Sequence, residues 1–231
     1  MEQKKTKESQ NQIQIDLYRQ KGSVRLGPWA SYIWRNDPKH LGFLLARYKF
    51  CAKMLTGKKS VLEVGCGDAI GIPVILQTVE FVHGIDFEPL VLQDAKARLA
   101  SDGTQRCDFS IFDITEGIMD QKFDAAYSLD VIEHIQPKLE NRFMTNICGS
   151  LKPHGVFIVG TPNIEAHKHA SPLSASGHVN LKSAQALREL FLRYFHNVFI
   201  FSMSDEVVHT GYYPMAHYLL AVGAGCKEIG L

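Results

Sequence analysis

Leu41, Leu44, Leu45, Tyr48, Ala52 and Leu55 recur at helical spacing, while Arg47, Lys49 and Lys53 fall on the other faces. Asp37-Pro38 just ahead supplies a capping side chain and a proline whose missing N–H the first turn does not need, so an amphipathic helix runs from there to about Thr56-Gly57. Beyond Lys59 the rhythm changes: short apolar runs alternate with helical stretches, which predicts βαβ units and a mainly parallel sheet. Residues 60–64 read as a first strand, Gly65-Cys66-Gly67-Asp68 as a turn and about 69–78 as a helix. A second strand over 80–85 ends at Asp86, and Pro89 opens a helix through Leu99. Strands at 107–112 and 123–128 end at Asp113 and Asp130. A helix over about 137–151 leads to a fifth strand at 156–159, which stops at Thr161-Pro162.

Pro, Ser, Gly and His then crowd residues 161–180 without periodicity, and so long a loop inside a compact domain is usually functional or disordered. After it, Ser183 caps a helix carrying Ala186, Leu187, Leu190, Phe191 and Tyr194. Residues 198–202 read as a sixth strand and 215–222 as a seventh, antiparallel to it. The expected architecture is an α/β domain over 59–231 with a doubly wound, mainly parallel seven-stranded sheet. A tail and helical cap occupy 1–58, and a substrate loop occupies 161–180.

Composition narrows the partners. The 231 residues carry 25 Lys+Arg against 24 Asp+Glu, a net charge of +1, so there is no basic excess to track phosphates and nucleic acid is not an expected partner. No run approaches the ~18 consecutive apolar residues of a spanning helix, and no membrane insertion is expected. Lys4, Lys5 and Lys7 have no apolar segment behind them, so the first dozen residues read as a polar tail and not a secretory signal. Cys51, Cys66, Cys107, Cys148 and Cys226 form an odd set with no CxxC pair, which suits a reducing cytoplasm and indicates no thiolate zinc site. Exposed N-terminal aromatics permit a homodimer.

Glu63-Val64-Gly65-Cys66-Gly67 ends the first strand and opens a helix, where glycines let a ligand approach the backbone and the helix start offers unpaired N–H groups. A nicotinamide-type G-x-G-x-x-G would need a glycine where Ile70 stands, which disfavours the simple dinucleotide reading. The acids at strand ends add specificity. Asp86 lies 19 residues beyond Gly67, and Asp113 closes the third strand. A ribose with free hydroxyls wants a bidentate carboxylate and an adenine amino group wants an acceptor, although either acid taken singly would be an ordinary helix cap.

The ordered series Val61-Leu62-Glu63-Val64-Gly65-Cys66-Gly67, Gly84-Ile85-Asp86, Asp113-Ile114, Phe123 through His134, and Leu151-Lys152-Pro153-His154-Gly155-Val156 resembles the class I S-adenosylmethionine-dependent methyltransferases over roughly residues 58–160. The resemblance implies a Rossmann-like methyltransferase fold and S-adenosylmethionine as cofactor. It places Glu63 and the backbone of Gly65, Cys66 and Gly67 at the methionine part, Asp86 on the ribose hydroxyls, Phe87 as an adenine wall and Asp113 with the Ile114 N–H on the adenine. Leu129 and Asp130, at the end of the fourth strand, join the cofactor set. Many relatives place a third glycine where this chain has Ala69, which is small enough to be tolerated. The stretch from Gly177-His178-Val179-Asn180 to Pro214-Met215-Ala216-His217-Tyr218 more loosely resembles bacterial methyltransferases of surface-sugar biosynthesis, implying O-methylation of a sugar or glycan-precursor hydroxyl. A quinone, amine or phosphate-type acceptor, a nicotinamide-dependent oxidoreductase and a non-catalytic cofactor-binding protein stand as alternatives.

A sulfonium already activates its methyl group, so the protein must place a nucleophile in line and exclude water, and a hydroxyl nucleophile also needs a base. His178, in the 161–180 loop, is the first candidate, because an unperturbed imidazole at ~6.5 needs little tuning to accept a proton. Asn180 would orient it or a substrate hydroxyl. His134 is the second candidate, or else a neutral imidazole that shapes the pocket rim, and His209 is the third. His167-Lys168-His169 with His178 finds no nearby carboxylate but Glu165, so no metal site is expected. Trp29, Tyr32 and Trp34 read as a lid or as packing, and Arg47 and Lys49 as a solvated helix face.

Overall fold

The computed structural model describes residues 5–170 and 176–228. Three helices come first: α1 (Gln12–Lys21), α2 (Pro28–Asn36) and α3 (His40–Met54). The alternating part follows as β1 (Ser60–Val64), α4 (Ile72–Ile75), β2 (Phe81–Asp86), α5 (Pro89–Ser101), β3 (Cys107–Ile111) and β4 (Phe123–Leu129). It closes with α6 (Glu140–Ser150), β5 (Leu151–Pro162), α7 (Ala184–Tyr194), β6 (Phe195–Ser204), β7 (Val207–His209) and β8 (Tyr218–Cys226). The sheet order is β3-β2-β1-β4-β5-β8-β6-β7. β1 to β5 run parallel, whereas β8 is antiparallel to both β5 and β6. This is the doubly wound α/β arrangement expected from the alternating pattern.

Among the described residues the sheet has eight strands, not seven. Val207–His209 folds back on Ser202, Met203 and Ser204 as an outer-edge hairpin, and three residues are too short a run to show a period of two. α4 shrinks to a single turn because Gly67 and Ala69 hold positive φ, which keeps the chain out of the right-handed helix until Pro73 restarts it. β5 runs through twelve residues, since its far end pairs continuously with β8 from Val156 to Pro162. Tyr213–Met215 is a 3-10 turn ahead of β8, so that strand starts at Tyr218 and reaches Cys226. Of the 161–180 loop, Ile164–His169 forms 3-10 turns capped by the Asn163 side chain, while 171–175 lies outside the described residues.

Apolar side chains cover both sheet faces. On one, Ile72, Ile75, Ala95 and Leu99 pack with Val61, Val82 and Tyr127, and α3 joins them through Tyr48, Cys51, Ala52 and Leu55. On the other, α6 and α7 bring Phe143, Ile147, Leu187, Leu190 and Phe191, with the Phe157 and Phe191 rings stacked 5.6 Å apart. At about 1.5–3 kcal/mol for each fully buried large apolar side chain, these layers hold the strand ends rigid. β1 lies between β2 and β4, so crossovers leave its C-terminal end to opposite sides and a crevice opens there.

Candidate active site

Gly65 and Gly67 adopt φ of +74° and +52° at the end of β1. A Cβ at Gly65 would meet Val131 at 2.3 Å, and one at Gly67 would meet the Trp29 ring at 2.3 Å. Ala69 keeps the left-handed backbone at φ +56°, a conformation that costs a side-chain-bearing residue about 1–2 kcal/mol. The Gly65 and Cys66 N–H groups donate to the Ile85 carbonyl at 2.8 and 3.0 Å and hold the loop on β2. Asp86, at the end of β2, accepts the Gly67 N–H on Oδ2 and the Glu88 N–H on Oδ1, each at 2.9 Å. Main-chain donors thus fix the Asp86 carboxyl group beside the glycine loop, with lone pairs to spare. Phe87 follows it, 70% exposed, and Asp113 beyond β3 accepts the Thr115 N–H at 2.8 Å next to buried Ile114.

Glu63 lies beneath the loop, 1% exposed. Burial pushes its carboxyl up to about 8, although the Tyr127 and Tyr48 hydroxyls favour the charged form. Burial likewise raises the Cys66 thiol, so this cysteine is a loop residue and not a nucleophile.

A cavity of about 350 Å³ is bounded by the glycine loop, by Leu129 and Asp130 at the end of β4, and by Trp29, Ile33, His40 and Arg47 from α2 and α3. Asp68 ties α2 down: its Oδ2 accepts the Ala30 N–H at 2.8 Å in the first turn of α2, in space that Gly27 leaves free. Trp29 is thereby held over Gly67. The helical pattern expects Arg47 on a solvated face, but the structure turns it inward. Its Nη1 lies 2.6 Å from Asp130 Oδ2, and its guanidinium stacks 3.8 Å from the Tyr218 ring centroid. Burial works against its charge, and Asp130, Tyr218 and Glu133 together more than offset that, holding the guanidinium's proton more tightly than usual.

A second cavity, of about 810 Å³, shares Ile33, His40, Arg47, Pro162 and His178 with the first and adds Tyr32, Phe43, Asn163, His167, His169 and His217. Glu133, His134 and His178 converge beside the junction, with one side-chain donor atom from each within 4.8 Å of the others. The convergence has a backbone cause: the Val179 and Asn180 N–H groups donate to the Glu133 carbonyl at 2.8 and 3.0 Å, pinning residues 177–180 onto the 3-10 turn Ile132–His134. His134 Nδ1 donates to the Gly177 carbonyl at 2.9 Å, and the His134 and His178 rings meet edge to face at 5.1 Å. Glu133 is fully buried, and burial followed by the Asp130 charge pushes its carboxyl up to about 8. Burial and His134 lower the His178 pKa, and burial and Arg47 lower that of His40, so both imidazoles face the cavities neutral.

Two expected residues take other places. His209 sits on β7 at the outer edge of the sheet, 3.5 Å from Ser204 Oγ, and does not line either cavity, because the short hairpin carries it three strands away from β5. Asn180 binds Glu140 Oε2 at 3.0 Å and Lys182, so it braces the loop and does not orient an imidazole.

The family model described as a methyltransferase domain matches residues 55–197, more than half of the chain. The chain belongs to this methyltransferase family. Among curated relatives, a probable S-adenosylmethionine-dependent methyltransferase of Mycolicibacterium smegmatis is 30% identical over 106 residues, covering 46% of this chain and 38% of that protein. The ubiquinone biosynthesis O-methyltransferase of Rickettsia felis is 30% identical over 144 residues, covering 58% of this chain and 57% of that protein. The matched part therefore spans well under two thirds of either relative. The crystal structure of N-methyltransferase NodS from Bradyrhizobium japonicum with S-adenosyl-L-homocysteine superposes with a TM-score of 0.60 at 16% identity, covering 91% of this chain and 97% of that one, and so shares the fold. S-Adenosylmethionine is the cofactor of this methyltransferase domain, which displaces the nicotinamide alternative.

Sequence reasoning left three residues of the methyltransferase site without a role. Asp68 follows directly on the second glycine, and its adjacency to the loop was the available signal. Glu133 stands next to His134, and Arg47 stands next to Tyr48 of the apolar helix face. Their partners lie far along the chain, which no local pattern reports.

Proposed function

We propose that this methyltransferase moves the methyl group of S-adenosylmethionine to a hydroxyl of a small polyhydroxylated acceptor of the sugar or glycan-precursor kind. The observation that carries the reading is the second cavity: it brings His40, His167, His169, His178 and His217 together with Asn36, Asp37 and Asn163, and it joins the cofactor-side cavity through His40, Arg47 and His178. In this reading the glycine loop with Glu63, Asp86, Phe87, Asp113, Ile114, Leu129 and Asp130 holds the cofactor, and Trp29 over Gly67 keeps water out. The acceptor oxygen attacks the methyl carbon while the carbon–sulfur pair returns to sulfur, leaving neutral S-adenosylhomocysteine. The hydroxyl proton must leave as well, and Glu133, His134 and His178 are the groups beside it.

A dihydroxy-aromatic acceptor is the second reading, favoured by the relationship to a ubiquinone biosynthesis O-methyltransferase and by Tyr32, Ile33 and Phe43 along one side of the same cavity. Mass spectrometry after incubation with methyl-labelled cofactor and a panel of nucleotide sugars, catechols and primary amines tests both. A label on oxygen in one of the two hydroxylated classes is expected. Label on nitrogen alone, or on none of the hydroxyls, sinks the proposal.

A further inference from the structure

We propose that Glu133, His134 and His178 bind one divalent transition-metal ion, which holds the acceptor oxygen beside the cofactor methyl group; the inference rests on the hydroxyl-acceptor reading above. The three residues supply donor atoms that already lie within 4.8 Å of one another. Ligands ~2.1 Å from a shared ion stand roughly 3–4 Å apart, so small side-chain adjustments close the site.

The protein's own hydrogen bonds leave the needed lone pairs over. Glu133 is 0% exposed; its Oε2 accepts the Thr161 hydroxyl at 3.0 Å, while Oε1 is buried with no hydrogen-bond partner among the described residues. A buried carboxylate oxygen without a donor is costly unless a positive charge comes to it. The neighbouring cation, Arg47, is engaged by Asp130 and by the Tyr218 ring. A carbonyl only accepts, so the His134 Nδ1 that meets Gly177 carries the proton and Nε2 keeps its lone pair. His178 Nδ1 is buried with no hydrogen-bond partner among the described residues. Thr161 and Gly177 thus orient the side chains as outer hydrogen-bond partners commonly orient metal ligands.

Two imidazoles and one carboxylate favour zinc, manganese, iron or cobalt over magnesium or calcium, and three protein ligands leave positions open for an acceptor hydroxyl. The chemistry requires no redox partner. The hydroxyl, bound to the ion, gives its proton to water; the resulting oxygen anion forms the bond to the methyl carbon, and the carbon–sulfur electrons stay on sulfur. His178 and His134 then act as ligands, not bases, and the carboxylate missing from the His167-Lys168-His169 reading comes from Glu133.

Chelator-treated protein is titrated with Co²⁺ and with Mn²⁺ by calorimetry, and the Co²⁺ adduct is read by its visible absorption. One ion per chain is expected, weakened at least ~10-fold in Glu133→Gln and in His178→Ala. A far-UV circular dichroism spectrum and a cooperative urea transition like the parent's show that the variants fold, and the exposed His134→Gln gives the same readout should either of the other changes unfold the chain. No stoichiometric ion, or parent-like binding in the variants, overturns the proposal. Methyl transfer to a hydroxyl that persists undiminished in excess chelator overturns the ion's role and leaves the hydroxyl-acceptor reading standing. Stoichiometric ion binding with no hydroxyl methylated leaves the metal site standing and removes that reading.

Discussion

Glu63→Gln isolates the effect of one buried acid on stability. The folded chain holds the Glu63 proton up to about pH 8, whereas the ordinary carboxyl releases it near 4.5. Between those values the native state binds a proton that the unfolded state has lost, so stability falls as pH rises. The contribution is complete below 4.5 and gone once the pH has passed through 8. At pH 7 the loss from this one group is about 3 kcal/mol, a large part of the ~5–15 kcal/mol that holds a typical domain. Glutamine keeps a neutral, near-isosteric group between Tyr48 and Tyr127 and does not titrate. Urea unfolding of the cofactor-free protein from pH 4 to pH 8 should show parent and variant nearly equal at pH 4 and the variant more stable by about 3 kcal/mol at pH 7. Glu133 also titrates high, but it is present in both proteins and cancels in the difference. A difference flat within about 0.5 kcal/mol over that range would refute the burial of an unpaired acid under the glycine loop.

Asp86→Ala removes the acceptor of the Gly67 and Glu88 N–H groups, and S-adenosylhomocysteine affinity measured by calorimetry should fall about 10–100-fold; parent-like affinity removes Asp86 from the cofactor set. Asp68→Ala uncaps α2, which should lower stability by about 1 kcal/mol and speed amide exchange at residues 30–33; unchanged exchange there means that Asp68 is not the latch. Arg47→Met leaves Asp130 without its cation and should destabilise by about 2 kcal/mol, part of which the Arg47→Met/Asp130→Asn double variant restores in urea unfolding; strict additivity of the two changes argues against a coupled pair.

Strand ends were legible because an apolar run stops at a carboxylate in each case: Glu63 near the end of β1, Asp86 at the end of β2, Asp130 just past β4. The order of these acids along the chain becomes adjacency in space once the strands are parallel, since every C-terminal end then lies on one edge. β7 was not legible, because three residues cannot display an alternation. Helical periodicity assigns a face, but what that face meets depends on the rest of the chain. Arg47 lies on the polar side of its helix by spacing and is nonetheless buried, because Asp130, 83 residues later, comes to meet it. Glu133 lay beside a named histidine and gained a role only when the loop at 177–180 bonded to its carbonyl.

The two halves of the site therefore differ in how they are encoded. The cofactor side uses main-chain geometry near the ends of adjacent strands: positive φ at Gly65 and Gly67, and N–H groups directed at Asp86. The proposed acceptor side is assembled from separate segments that meet after β4. Asp130 draws in α3 through Arg47, and four residues later His134 receives the loop carrying His178. One strand end thus fixes both the helix that walls the glycine-loop cavity and the loop that walls the histidine-lined cavity. Changes within 177–180 that spare the two bonds to the Glu133 carbonyl can alter which acceptor fits while leaving the β1–β2 edge intact. Changes at Asp130 disturb both cavities together, because its ion pair with Arg47 lies in the wall they share.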